Sequence, residues 1–106
     1  MLTKSQRLAL RSLGQKLPDL VHIGKSGLTE SVLAQINDNL NAYELVKIKV
    51  QTNSPEDIME LGEKIEDACG CEIVTIIGSK ILLYRVSDHK VNKNIALVRE
   101  ALSKSK

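Results

Sequence analysis

A lysine and a serine sit between two glycines at Gly24-Lys25-Ser26-Gly27, within the stretch HIGKSGLTES at 22–31. Glycines at a strand-to-helix corner let the backbone turn sharply and approach another group closely. The unpaired N–H groups of a helix's first turn, at the positive end of its dipole, favour an anion. Lys25 adds a full charge at the same corner, and a phosphate is the anion this chemistry suits. A strand-to-helix turn also uses two glycines for geometric reasons alone, so these residues fit a plain corner as well. The GxxxxGK[ST] spacing of a nucleotide-binding loop is missing, and so is a dinucleotide fingerprint.

Other bases recur with spacing. Lys4, Arg7 and Arg11 fall together on one face of a helix, without an acid among them. Lys47 and Lys49 alternate with Val46, Ile48 and Val50, which puts both lysines on one face of a strand. Both patterns point to a polyanion partner, and a GxxG loop clamping a nucleic-acid backbone has a precedent in KH domains. Catalysis finds little support. His22 and His89, the only histidines, have no nucleophile or acid beside them in sequence, and Ser26 and Ser31 lack a nucleophile-elbow context. Cys69 and Cys71 are too close for an easy disulfide and have no partners for a zinc site. The expectation is no enzyme, no metal, no cofactor and no small-molecule substrate.

The net charge of +2 conceals a segregation. Residues 1–27 carry five bases against Asp19, residues 55–70 six acids against Lys64, and residues 79–106 seven bases against Asp88 and Glu100. That separation predicts one basic and one acidic side. With no Trp or Phe and only Tyr43 and Tyr84 as aromatics, the core must be aliphatic and an aromatic platform for stacked bases is nearly excluded. No run approaches the roughly 18 apolar residues of a membrane span, and the expectation is a monomeric, cytoplasmic protein without a membrane partner.

These side chains need elements to position them. Ala9, Leu10, Leu13 and Leu17 predict a helix over 3–17, stopped by Pro18. A short strand follows at 20–24, then a helix capped by Thr29 and running to about Ala42, with Val32, Leu33, Ile36 and Leu40 on one side. After the strand at 45–50, Ser54 is read as the cap of a third helix over 55–69, with Pro55 in its first turn, Asp57 returning the capping bond and Gly70 as its stop. Two strands over 71–86 turn at Gly78-Ser79, pairing Ile77 with Lys80 and Glu72 with Arg85. One face of that hairpin, with Val74, Ile76, Ile81 and Leu83, is core. The other, with Ile73, Thr75, Ile77, Lys80, Leu82 and Tyr84, needs covering by the first helix or the tail. The fold class is α/β, in the order α-β-α-β-α-β-β, with a mixed four-stranded sheet packed with helices. A single domain spans 1–88, and 89–106 form a basic tail with a short helix from about Asn94.

Taken together, the segments LTKSQRLALRSLGQKLPDLVHIGKSGLTESVLAQI, YELVKIKV and IIGSKILLYR resemble the YhbY-type, or CRM-domain, RNA-binding proteins of ribosome assembly. The resemblance covers about residues 2–86 and implies a fold similar to the C-terminal domain of translation initiation factor three. It implies an RNA-contacting surface at Gly24, Lys25, Ser26 and Gly27, at Lys4, Arg7 and Arg11 of the first helix, and at Gly78, Lys80, Tyr84 and Arg85 of the GxKxxLYR hairpin. The chain departs from the family pattern at Tyr43, where a histidine is common, and at Val86, where a proline is frequent. The function expected is non-enzymatic docking on structured ribosomal RNA, and on the precursor of the large ribosomal subunit during its assembly. The alternative is a protein–protein adapter using the acidic helix 55–69.

Overall fold

Two hydrophobic clusters, one on each face of a sheet, organise the chain. The computed structural model describes residues 2–52, 57–87 and 93–104. In order, the elements are α1 (Lys4–Gly14), β1 (Val21–Ile23), α2 (Glu30–Tyr43), β2 (Leu45–Val50), α3 (Ile58–Cys69), β3 (Glu72–Ile77), β4 (Lys80–Tyr84) and α4 (Lys93–Lys104). The sheet order is β1-β2-β4-β3, with β1 parallel to β2 and the other neighbours antiparallel. Helices α2 and α3 bury Ile36, Leu40, Leu61 and Ile65 against Val46, Ile48, Ile81 and Leu83. On the opposite face α1 and α4 bring Leu10 and Val98 onto Leu45, Val74 and Leu82. The expected mixed α/β class is observed and the first seven elements follow the expected order; the eighth, α4, is the helix expected in the tail, and with α1 it covers most of the second apolar face, leaving Ile77 exposed.

Local chemistry sets the helix ends. Thr3 Oγ1 accepts from Gln6 N at 3.1 Å while Gln6 Oε1 accepts from Thr3 N at 3.0 Å, a reciprocal cap on α1. That helix stops at Gly14 rather than 17, because Lys16 N and Leu17 N bond to Leu13 O and Gly14 O in a tightened last turn. Thr29 caps α2 as expected, accepting from Val32 N at 3.2 Å. Helix α3 begins at Ile58, later than the expected 55. Its cap is Asp57, whose carboxylate accepts from Met59 N at 3.2 Å; Ser54 and Pro55 lie outside the described residues. Gly70, at φ 61°, closes α3 in the left-handed conformation a glycine tolerates.

The hairpin corrects the expected register. Ile77 does pair with Lys80, but an irregularity between Ile73 and Thr75 sets Glu72 opposite Tyr84 instead of Arg85. One extra residue in a strand moves everything beyond it to the other face. Val74 therefore joins the α1/α4 cluster and Ile73 the α2/α3 cluster, the reverse of their expected faces. Ile76, Ile81 and Leu83 keep theirs.

A buried acid fastens α4. Glu44, fully buried at the end of α2, accepts from Ser87 N at 2.7 Å and from Arg99 Nη2 at 2.9 Å. That pairing raises the Arg99 pKa and ties the last helix to the start of β2.

Candidate nucleic-acid interface

Three connections meet at one end of the sheet. Leaving β1, the chain turns at Gly24-Lys25-Ser26-Gly27, where Gly27 N donates to Gly24 O at 3.0 Å. Gly27 sits at φ 70°, a conformation strained for any side chain. Lys25 and Ser26 are exposed while Gly27 is buried. Gln51 N donates to Ile23 O at 2.8 Å, and Val50 N donates to Ser79 O at 2.7 Å. Those two bonds tie the glycine corner, the exit of β2 and the Gly78-Ser79 turn into one rim.

Just inside the rim lies a row of bases. Val21 and Ile23 point into the α2/α3 cluster, so His22 between them is exposed on the other face. The same alternation turns Lys49 outward between Ile48 and Val50. Pairing then sets His22 opposite Lys49 and Lys49 opposite Lys80. Like charges directly opposed across strands are destabilising, so folding stability alone does not favour this arrangement. Asp19 relieves part of it, with a carboxylate oxygen 3.3 Å from Lys80 Nζ. One step further in, Lys47 stands opposite Leu82. With Lys80 and Arg11 of α1 it borders a cavity of about 200 Å³. The exposed acids Glu60, Glu63 and Asp67 belong to α3, in the opposite layer.

The remaining candidates lie elsewhere. Lys4 is exposed on the first turn of α1. Arg7 turns back onto the edge strand, where its guanidinium pairs with Glu72 and donates to Ile73 O and, at 3.3 Å, to Val74 O. Arg7 thus leaves the outer face it was expected to share with Lys4 and Arg11. Tyr84 and Arg85 stand at the far end of β4. Tyr84 is half-buried, and burial pushes its phenol pKa up. Arg85 donates from Nη1 to Asn37 Oδ1 at 2.7 Å and Cys69 O at 2.6 Å, and from Nη2 to Asn41 Oδ1 at 2.9 Å. Its guanidinium stitches α2 to the end of α3.

The structure therefore brings Gly24, Lys25, Ser26, Gly27, Lys49, Gly78 and Lys80 to one rim, with Arg11 and Lys47 adjoining, and leaves Lys4, Arg7, Tyr84 and Arg85 apart. His22 and Asp19 belong to this neighbourhood and were not among the expected binding residues. The signal for His22 was available, since the alternation that exposes Lys49 exposes it too. The cysteines are poor nucleophiles. Burial pushes the Cys71 thiol up to about 12, with Cys69 and Glu66 adding to it, and burial likewise raises Cys69. Among the described residues no group of three His, Cys, Asp or Glu side chains is placed to hold a metal ion, and no helix is long and apolar enough to cross a membrane.

Fold and rim define a small three-layer α/β domain with a basic surface at the strand ends. Residues 2–85 match the CRS1 / YhbY (CRM) domain, and the chain belongs to that family. It is 36% identical over 97 residues to "Probable RNA-binding protein YqeI" of Bacillus subtilis, covering 92% of this chain and 99% of that protein. Against "Probable RNA-binding protein PA4753" of Pseudomonas aeruginosa it is 33% identical over 95 residues, 90% of each chain. The solution structure of SAV1595 from Staphylococcus aureus superposes with a TM-score of 0.73 at 40% identity, covering 86% of this chain and 95% of that one.

Proposed function

We propose that this chain is a non-enzymatic RNA-binding protein of the cytoplasm, acting as a monomer on structured ribosomal RNA while the large subunit is assembled. The observation that carries the reading is the His22–Lys49–Lys80 row beside the glycine corner. A phosphate against opposed lysines turns a repulsion into an attraction. Lys25, Lys47, Lys49, Lys80 and Arg11 would hold phosphates, and the tight Gly24–Gly27 turn lets a sugar–phosphate backbone come close. Lys4 would add a contact at the far end of α1, while Arg7, Tyr84 and Arg85 serve the surface by holding the domain together. Relatives named as RNA-binding proteins support the nature of the partner; the ribosomal setting follows from the family resemblance. Phosphate contacts would set orientation, and the shape of a folded RNA rather than a long base sequence would be recognised.

Titration with a structured fragment of large-subunit ribosomal RNA at several salt concentrations tests this. Each phosphate contact contributes roughly 0.7 to 0.9 to the slope of log affinity against log salt. Lys25→Ala should shallow the slope by about that amount and weaken all RNA sequences alike. A salt-insensitive affinity, or no binding, would overturn the reading and turn attention to the acidic face of α3 as an adapter surface.

A further inference from the structure

The cavity beside the basic row has an anatomy that phosphate contacts alone leave unused. It lies between the C-terminal half of α1 and the sheet, with about 200 Å³ of space over Thr75, Ile77 and Leu82. Gly14 forms its wall and brings helix and sheet together: a Cβ there would stand 2.6 Å from Leu82 Cδ2. Ile77 is 45% exposed, a large apolar side chain left open among charges. Arg11, Lys47 and Lys80 also line the cavity. The space falls below the roughly 300–1,000 Å³ of pockets for drug-sized ligands, so it suits one ring system.

A ligand matched to this site has an apolar flat body and negative charge at its periphery. We infer that the cavity receives one extrahelical nucleotide of the bound RNA, its base lying over Ile77 and Leu82 and its flanking phosphates on Arg11, Lys47 and Lys80. This rests on the RNA-binding reading above and adds a base contact to it. Covering Ile77 removes apolar surface from water, and the phosphates on either side of an unstacked base meet cations already in place. Asp19, 3.3 Å from Lys80, trims the positive charge without cancelling three bases. An acidic peptide fits less well, because its carboxylates sit at the side-chain tips and would be driven into the apolar floor. A paired stem keeps its bases stacked and offers none; only a bulge, loop or end supplies one.

The test compares two RNAs, a continuous duplex and the same duplex carrying a single bulged 2-aminopurine. The protein should bind the bulged RNA about tenfold more tightly, the scale of a modest apolar contact in a pocket, and the probe's emission should change as its base leaves the duplex for the cavity. Thr75→Leu fills the floor without altering charge. It should erase the preference while leaving duplex affinity and salt slope as they were. Equal affinity for both RNAs with unchanged emission overturns the inference while leaving RNA binding intact; failure to bind either RNA removes the underlying reading as well. A folded Thr75→Leu protein that keeps the preference also overturns it. So does an acidic peptide whose binding is lost in that variant while the bulged probe reports no change. Should Thr75→Leu fail to fold, the emission and affinity comparison on the unaltered protein decides.

Discussion

Lys49 and Lys80 face each other across β2 and β4, yet neutralising them should shift stability in opposite directions. Lys49 is exposed, with His22 on one side and Lys80 on the other. Lys49→Gln keeps most of the aliphatic stem and removes one of two opposed charges. Such pairs cost roughly 0.2–1 kcal/mol, and Asp19 at 3.3 Å from Lys80 already offsets part of that. A gain of about 0.3 kcal/mol is therefore expected, or about 1–2 °C in Tm for a domain of this size. Lys80→Gln relieves the same repulsion but withdraws the ammonium from Asp19, whose Oδ1 is buried with no hydrogen-bond partner among the described residues. Because Lys80 is 44% exposed, the pair itself is worth at most about 1 kcal/mol, and the stranded carboxylate makes the net change a loss of about that size. Both variants should weaken RNA binding and shallow its salt slope by roughly 0.7 to 0.9. Thermal unfolding at low salt and at about 1 M, where the Debye length falls to about 3 Å, supplies the control: the Lys49→Gln gain should vanish at high salt. A Lys49→Gln protein that is less stable, or more stable with undiminished RNA affinity, would refute the claim that the row is held in place for an anion.

Arg85→Ala should cost about 2 kcal/mol in urea unfolding, because acceptors on α2 and the end of α3 lose a charged donor, while the folded protein keeps its RNA affinity. Alkaline unfolding should reveal the half-buried thiol of Cys71. Cys71 is raised from its ordinary 9.0 to about 12, so between those pH values the folded state holds more protons than the unfolded chain, and stability must fall as pH rises. The slope due to this thiol, discounted for partial exposure, is up to about 1 kcal/mol per pH unit, and Cys71→Ala should remove it. Glu44→Ala should loosen α4 first, seen as faster amide exchange over 95–103 while the sheet amides stay protected.

Much of the fold is legible because it depends on neighbours in sequence. Thr29 caps, Gly70 stops, Gly78-Ser79 turns and the alternation over 45–50 are decided within a few residues. What escapes such reading depends on distant partners. The bulge in β3 is held from two layers: Arg7 of α1 donates to Ile73 O and Val74 O, while Glu66 of α3 accepts from Ile73 N at 3.0 Å. No local pattern around Ile73 announces either contact, so a strict two-residue alternation assigns Val74 and Ile73 to the wrong faces. Arg7 reads as a member of a basic stripe for the same reason, since its acid partner is 65 residues away. Glu44 meets its partner Arg99, 55 residues away, only when the last helix is in place. At the candidate site, residue types and strand parity locate Lys47, Lys49 and Lys80, but only the parallel pairing of β1 with β2 brings the glycine corner and His22 alongside them.

Ultraviolet crosslinking of the protein to RNA in living cells, reading both the RNA and the crosslinked peptides, decides whether this rim meets ribosomal RNA. The expected result is enrichment of large-subunit ribosomal RNA precursors, joined to peptides containing residues 24–27, 47–51 and 78–80. Crosslinks spread over unrelated transcripts, or confined to peptides of α3, would contradict it.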